Sequence, residues 1–193
     1  MAAYISFQPS DFYKTNLYAG TGSSQTISCG FQPDMSWVKT RTNAYSNRLA
    51  DSVRGYTKTI ITNSTAAEGT DSTVFSGTTS DGFTVVSDAG SNATSNNYVG
   101  WSWKAGTTSG IATNGSTTIT PNSYSFNQTS GVSILQYTGN STDDAKLAHG
   151  LGVAPHFVIC KEQNVASNDW AVWHTSLGNN VLALNTAAAA VAG

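Results

Sequence analysis

The chain has 193 residues and a formal net charge of −2, and only 10% of its residues are charged. It contains no basic run, which excludes the electrostatic footprint of a nucleic-acid-binding protein. It also lacks the stretch of about 18 apolar residues that a membrane-spanning helix needs. Ser, Thr and Asn make up roughly a third of the chain, well above average usage. These residues favour strands, turns and caps over helix interiors, so the composition predicts an all-β protein of an extracellular or virion-like surface.

The first 17 residues are rich in apolar side chains. We predict that residues 1–17 form an N-terminal assembly arm, with subunit contacts made by Phe7, Phe12 and Tyr13. Such a segment can pair with a neighbouring subunit, because exposed strand edges recruit partner strands. The alternative interpretation is that this segment is simply the first strand of a sheet.

Strand patterns dominate the region that follows, which we predict to be a first β-sandwich module over residues 18–104. The predicted strands are 34–40, 56–62, 73–76, 83–86 and 98–104. The last of these alternates most regularly and places Val99, Trp101 and Trp103 on one face. We expect these tryptophans to face the opposite sheet, and the alternative is an exposed platform that stacks on sugar rings.

Residues 105–118 are rich in Gly, Ser and Thr and are predicted to be a linker. Strand patterns then resume, and residues 119–193 are predicted to form a partial second β-sandwich module. Its predicted strands are 124–126, 131–137, 155–161, 170–174 and 181–185.

The second module repeats landmarks of the first. Three pairs of residues lie 122 positions apart, namely Pro33 and Pro155, Lys39 and Lys161, and Asn63 and Asn185. A period of this length indicates a duplicated domain rather than a solenoid. The second copy lacks its back half, and half a sandwich cannot bury its own apolar faces. We therefore expect it to pair with another chain or to complete the first module.

The motifs of the two modules resemble those of a repeated module found in tail-fibre and other virion proteins of marine phages, cyanophages in particular. The motifs are Gly30-Phe31-Gln32-Pro33-Asp34, Trp37-Val38-Lys39, Asp51-Ser52-Val53-Arg54-Gly55, Asp81-Gly82-Phe83, Tyr98-Val99-Gly100-Trp101-Ser102-Trp103-Lys104, Tyr137-Thr138-Gly139, His149-Gly150-Leu151-Gly152 and Trp170 with Trp173-His174. The resemblance implies a concanavalin-like jelly roll, in which two antiparallel sheets pack together. It also implies a structural or receptor-binding role, and it implies no catalytic residues.

Aromatic side chains near polar loops are the candidates for glycan contact. The predicted contacts are Tyr45, Arg54, Tyr56, Trp170 and Trp173. Trp170 and Trp173 fall on opposite faces of their strand, so at least one of them is expected outside the core. For Arg54, a local ion pair with Asp51 that fixes a turn is the competing interpretation.

No cofactor and no enzymatic activity are predicted. Asn140, Asp143 and Asp144 share one polar loop that could supply oxygen ligands to Ca²⁺, but the spacing of a calcium loop is absent and a solvated turn is expected. The two cysteines, Cys29 and Cys160, occupy non-equivalent repeat positions. We predict two buried free thiols, and a disulfide is the alternative.

The sequence therefore favours a bacteriophage virion structural protein, either a tail fibre or a capsid-attached fibre or decoration protein. It would be assembled in the host cytoplasm, with copies of itself and other virion proteins as partners, and a trimer is expected. Attachment to a host-surface glycan would be an added role. The alternatives are a carbohydrate-binding lectin and, third, a polysaccharide depolymerase that uses Asp143 or Asp144.

Overall fold

The structure, a computed structural model, describes residues 7–193 and builds them almost entirely from β-strands. The helical elements among these residues are two short 3-10 turns, Pro9–Asp11 and Thr175–Leu177. The strands of the first module are β1 Tyr13–Ala19, β2 Gln25–Ser28, β3 Met35–Thr40, β4 Arg48–Asp51, β5 Lys58–Ile61, β6 Gly69–Thr70, β7 Phe75–Thr78, β8 Gly82–Val85 and β9 Asn97–Trp103. Those of the second are β10 Ser123–Asn127, β11 Val132–Gln136, β12 Phe157–Cys160, β13 Ala171–His174, β14 Asn180–Ala183 and β15 Val191–Ala192. The predicted all-β class is confirmed.

The first module is a sandwich of two antiparallel sheets. The larger sheet has the order β1-β9-β3-β4-β5-β6 and the smaller one the order β2-β8-β7. Side chains of both sheets meet in one core, where Phe75 lies edge-on to Tyr56 at 6.3 Å and to Phe83 at 5.9 Å. The core consists of Ile27, Cys29, Phe31, Val38, Ala50, Tyr56, Val74, Phe75, Phe83, Val85 and Tyr98. The predicted antiparallel β-sandwich is thus confirmed.

The central strand β9 turns its two tryptophans away from the core. Its buried positions are Tyr98, Gly100 and Ser102, whereas Val99, Trp101 and Trp103 lie half-buried on the opposite face. A Cβ on Gly100 would lie 3.1 Å from the ring of Phe83, so the facing sheet leaves no room for a large residue there. The prediction that Trp101 and Trp103 face the opposite sheet is therefore wrong.

The loop before β9 is held by one fully buried amide. Asn92 donates to the carbonyl oxygens of Ser23 and Val86, both at 2.6 Å. Its Oδ1 accepts hydrogen bonds from the Thr21 amide at 3.0 Å and from Gln25 Nε2 at 2.5 Å. A single side chain thus ties this loop to the connection between β1 and β2, which closes one end of the sandwich.

The predicted N-terminal arm overlaps the first strand of the sandwich. β1 begins at Tyr13 and pairs with β9 along its whole length, so the predicted boundary after residue 17 falls inside this strand. Tyr13 accordingly belongs to the sheet, as the alternative interpretation has it. Phe7 and Phe12 precede the strand with their ring centroids 5.3 Å apart. Residues 1–6 of the predicted arm lie outside the described residues.

The two modules meet at Asp34. One carboxylate oxygen of Asp34 accepts a hydrogen bond from the Ala105 amide, and the other accepts from the hydroxyls of Ser52 and Ser125, all at 2.8 Å. Thr107 and Phe126 exchange two backbone hydrogen bonds of 3.0 Å. The linker predicted at residues 105–118 is free of regular strands, but these bonds tie its first residues to β10.

The second module reproduces half of the first. β12, β14 and β15 each begin 122 residues after β3, β5 and β6, and the sheet order β12-β13-β14-β15 matches β3-β4-β5-β6. The repeated asparagines have the same role, because Asn63 accepts a hydrogen bond from the Asn47 amide and Asn185 accepts one from the Trp170 amide, both at 2.9 Å. β10 and β11 form a separate hairpin.

Candidate assembly and binding surfaces

The outward side of the larger sheet carries a band of aromatic side chains. Cross-strand pairing on β1, β9 and β3 aligns Tyr13 with Trp103 and aligns Trp101 with Trp37. The ring centroids are 5.4 Å apart in the first pair and 5.9 Å apart in the second. We call these four residues the aromatic face. Period-two alternation places these four side chains outward, because their neighbours along each strand occupy the core side.

Two of the predicted glycan contacts remain accessible. Tyr45 is 43% exposed, and its carbonyl oxygen accepts a hydrogen bond of 2.9 Å from Lys39 Nζ. Because Lys39 pairs with Val99 on β9, Tyr45 lies at the end of the strands that carry the aromatic face. Trp173 is half-buried in the second module, and its indole donates to the Gly178 carbonyl at 2.7 Å.

Two other predicted glycan contacts are buried, and for them the prediction is wrong. Tyr56 belongs to the core, and its hydroxyl contacts Ser36 Oγ at 3.1 Å and the Pro33 carbonyl at 3.2 Å. Burial raises the pKa of the Tyr56 phenol far above its ordinary value. Trp170 is 4% exposed and donates to the carbonyls of Ile61 and Ser64, both at 3.2 Å. Trp170 therefore anchors the second module on the first.

Arg54 is also unavailable to a ligand, because its guanidinium is held between two carboxylates. Nε donates to Asp51 at 2.7 Å, which confirms the predicted local pair, and Nη1 donates to Glu68 at 2.9 Å. The Arg54 side chain is only 7% exposed. The amide of Glu68 in turn donates to the Gln163 carbonyl at 2.7 Å, so this ion-pair cluster supports the contact between the modules.

The second module leaves a groove where the first has a strand. β9 lies between β1 and β3, but their counterparts β11 and β12 are not paired with each other. Within residues 7–193 no strand corresponds to β7, β8 or β9. The cavity between β11 and β12 has a volume of about 550 Å³ and is lined by both strands. Phe157 and Val158, at its wall, are 56% and 40% exposed. We call this cavity the strand groove.

A tyrosine and a cysteine meet across the strand groove. The Tyr137 hydroxyl lies 3.2 Å from Cys160 Sγ, and the hydrogen bond between them, with partial burial, raises the pKa of Tyr137 to about 12. In the first module, the equivalent Tyr18 instead stacks on Tyr98 at 5.3 Å. Both cysteines are free thiols; Cys29 is buried as predicted, whereas Cys160 is only half-buried.

The residues that line the strand groove were not among the sequence-based candidates. Leu135, Val158 and Cys160 look like ordinary core positions when the second module is considered alone. Their signal lies in the repeat, because no strand within residues 7–193 takes the place that β9 has in the first module.

No three His, Cys, Asp or Glu side chains within residues 7–193 lie close enough together to hold a metal ion. The loop considered for Ca²⁺ closes on itself, since the Asn140 side chain accepts a hydrogen bond from the Thr142 amide at 3.1 Å. No helix among these residues is long and apolar enough to cross a membrane.

Within residues 7–193 the chain is all-β and forms one sandwich followed by strands that repeat half of it. The chain belongs to the family described as Domain of unknown function (DUF7483), whose model matches residues 8–193. Comparisons with curated proteins and with solved structures give no match.

Proposed function

We propose that this chain is a structural protein of a bacteriophage virion, either a tail fibre or a capsid-attached fibre or decoration protein. Its role is assembly, with attachment to a host-surface glycan as an added role. The resemblance of its motifs to marine-phage fibre modules and its hydroxyl-rich, charge-poor composition support this proposal. The unpaired edges of β11 and β12 within residues 7–193 are the observation that carries it.

The strand groove favours association with polypeptide over catalysis or transport. Facing edges of β11 and β12 carry backbone groups that can pair with a further strand, and such edges are sites of association. Apolar area adds to this, because removing apolar side chains from water favours association. The proposed partners are copies of the chain, in a trimer, and other virion proteins.

Mass spectrometry of purified phage particles, together with antibody labelling in electron micrographs, tests the virion role. We expect the chain in stoichiometric amounts and labelling at one defined place on the particle. Light scattering of the isolated chain tests self-assembly, with deletion of residues 1–11 as a variant that removes the first part of the proposed arm, including Phe7, and keeps β1. Absence from particles combined with a monomer at every concentration contradicts the proposal.

Binding of a carbohydrate by the aromatic face is the second candidate, and it rests on the exposed tyrosine and adjoining tryptophans of that face. Aromatic rings stack on the apolar side of sugars, and Tyr13 is 38% exposed. On a glycan array, Tyr13→Ala should abolish binding. Leu17→Ala is the matched control, since Leu17 is 66% exposed on the same strand and the same side. Equal loss in both variants, or no binding at all, contradicts a lectin role.

A further inference from the structure

The aromatic face is one end of a longer surface on the outward side of the larger sheet. The ladder of β1, β9 and β3 continues past the tryptophans, because the Arg41 amide donates to the Asn97 carbonyl at 2.7 Å and so adds one more pair. Alternation therefore places Lys39 and Arg41 on the same side of the sheet as Trp37. The outward side chains form the rows Tyr13-Trp103-Met35, Thr15-Trp101-Trp37, Leu17-Val99-Lys39 and Ala19-Asn97-Arg41.

Two cations lie in the last two of these rows, and we call Lys39 and Arg41 the cationic end. Neither side chain forms an ion pair with another residue of the range 7–193. Arg41 is exposed, whereas Lys39 is half-buried and its ammonium donates to the Tyr45 carbonyl at 2.9 Å. That bond occupies one of the three donors of the ammonium, so both cations can still bind an anion.

The same surface carries no carboxylate that would balance these cations. None of the residues in the four rows is acidic, although the whole chain has a formal net charge of −2. Residues 41–47, which connect β3 to β4, also include no acid. On β4, Asp51 is opposite Met35 but is already paired with Arg54. Positive charge is therefore concentrated at one end of an aromatic surface.

We propose that the aromatic face and the cationic end together bind an acidic glycan, namely an oligosaccharide whose sugar units carry carboxylate or sulfate groups. The sugar rings stack on the aromatic side chains, and Lys39 and Arg41 pair with the anionic groups. Arg41 lies two rows beyond Trp37, about 14 Å along the strand, so a ligand that contacts both is longer than a single sugar. The inference rests on carbohydrate binding by the aromatic face and adds the charge class of the ligand.

The cationic end gives this surface its selectivity. A guanidinium presents a planar set of donors that matches the oxygens of a carboxylate or sulfate, and such charge-assisted hydrogen bonds are stronger than neutral ones. Tyr45, which is 43% exposed, supplies a further ring beside Lys39. A neutral glycan can use the rings but leaves both cations without a partner, so it should bind more weakly than an acidic one.

Titration calorimetry of the full chain with matched pairs of glycans tests the charge class. The tetramer of galacturonic acid is compared with its methyl ester, which keeps the sugar rings and removes the charge, and dextran sulfate is compared with dextran. The two pairs distinguish a carboxylate from a sulfate as the preferred group. We expect at least one acidic probe to bind about tenfold more tightly than its neutral control. This preference should disappear at high salt, because exposed charges are then screened.

Three variants locate the binding site. Arg41→Gln should weaken binding of the acidic probe about tenfold and leave binding of the neutral control unchanged. Lys14→Gln is the matched control, because Lys14 is an exposed cation of β1 whose side chain lies on the opposite side of the sheet. Tyr13→Ala removes a ring and should weaken binding of both glycans. Urea unfolding of each variant checks that the fold is intact.

A preference for the acidic probe that is lost in Arg41→Gln and kept in Lys14→Gln supports the proposal. Three results overturn it: equal affinity for each acidic probe and its neutral control, equal loss in Arg41→Gln and Lys14→Gln, or an equal affinity for a single-stranded oligonucleotide. The last result would assign the surface to polyanions in general. If neutral glycans bind and Tyr13→Ala removes that binding, the carbohydrate role stands without the charge class. Absence of binding by every glycan contradicts both.

Discussion

Replacing Asn92 with alanine is expected to destabilise the first module by about 3 kcal/mol. The Asn92 side chain is fully buried and makes four hydrogen bonds of 2.5–3.0 Å to groups in two other segments. A hydrogen bond contributes about 1 kcal/mol net, and a buried group left without a partner costs about 1–3 kcal/mol. Because Thr21 and Ser23 are exposed, water can replace part of the hydrogen bonding that their backbone groups lose in the variant. The expected destabilisation therefore stays near about 3 kcal/mol.

Urea unfolding followed by tryptophan fluorescence measures this loss, since three of the five tryptophans lie in the first module. Asn97→Ala is the matched control, because Asn97 is an exposed asparagine in the same part of the chain. We expect it to change the free energy of unfolding by less than about 0.5 kcal/mol. An Asn92→Ala variant within about 1 kcal/mol of wild type, with an unchanged slope, would refute the inference that this amide closes the sandwich.

Three further predictions concern the backbone, an ion pair and a titration. Gly20→Ala should destabilise the fold by about 3 kcal/mol, because the added Cβ would overlap the carbonyl oxygen of Ala93. Gly69→Ala is the control, and it should be neutral in the same unfolding assay because the space around Gly69 is open. Arg54→Met should lower the stability measured by thermal unfolding by about 3 kcal/mol, because the largely buried carboxylates of Asp51 and Glu68 lose their cation. Stability restored at low pH would identify these two carboxylates as the cause. Tyr137 should ionise near pH 12 in a difference titration against Tyr137→Phe, and Cys160→Ala should lower that midpoint towards 10. Since the folded-state pKa is raised, the stabilising contribution is present below pH 10 and is lost as pH rises towards 12; an unshifted midpoint in Cys160→Ala would contradict it.

The strands and the duplication could be predicted from local patterns, because alternation, turn residues and repeat spacing are all properties of the sequence. Asn63 and Asn185 show this well: their spacing was visible in the sequence, and both cap the same strand entry in the structure. What local patterns cannot supply is which of two alternating faces is buried. In β9 the tryptophans are larger and more apolar, yet the ring of Phe83 on the opposite sheet selects the glycine face.

The prediction that Tyr56, Arg54 and Trp170 contact a glycan is wrong for a related reason. Tyr56, Arg54 and Trp170 lie beside polar loops in the sequence, which suggested exposure. All three are buried by contacts that the local pattern does not show. Arg54 is paired with Glu68, and Tyr56 is bonded to Ser36, 20 positions before it. Trp170 is bonded to carbonyls more than 100 positions before it. The strand groove, conversely, is recognised only when the two modules are compared, because β11 and β12 are unpaired within residues 7–193 whereas β1 and β3 both pair with β9.

The junction between the two modules depends on Asp34, and the second module has no acid at the equivalent position. Asp34 holds the hairpin that begins the second module, but the repeat places His156, an exposed imidazole, at the corresponding position of that module. A further copy of the repeat, placed after the second module, would therefore lack the carboxylate that makes this junction. An extended array of these units would need a different contact at its next junction, or an acid at position 156.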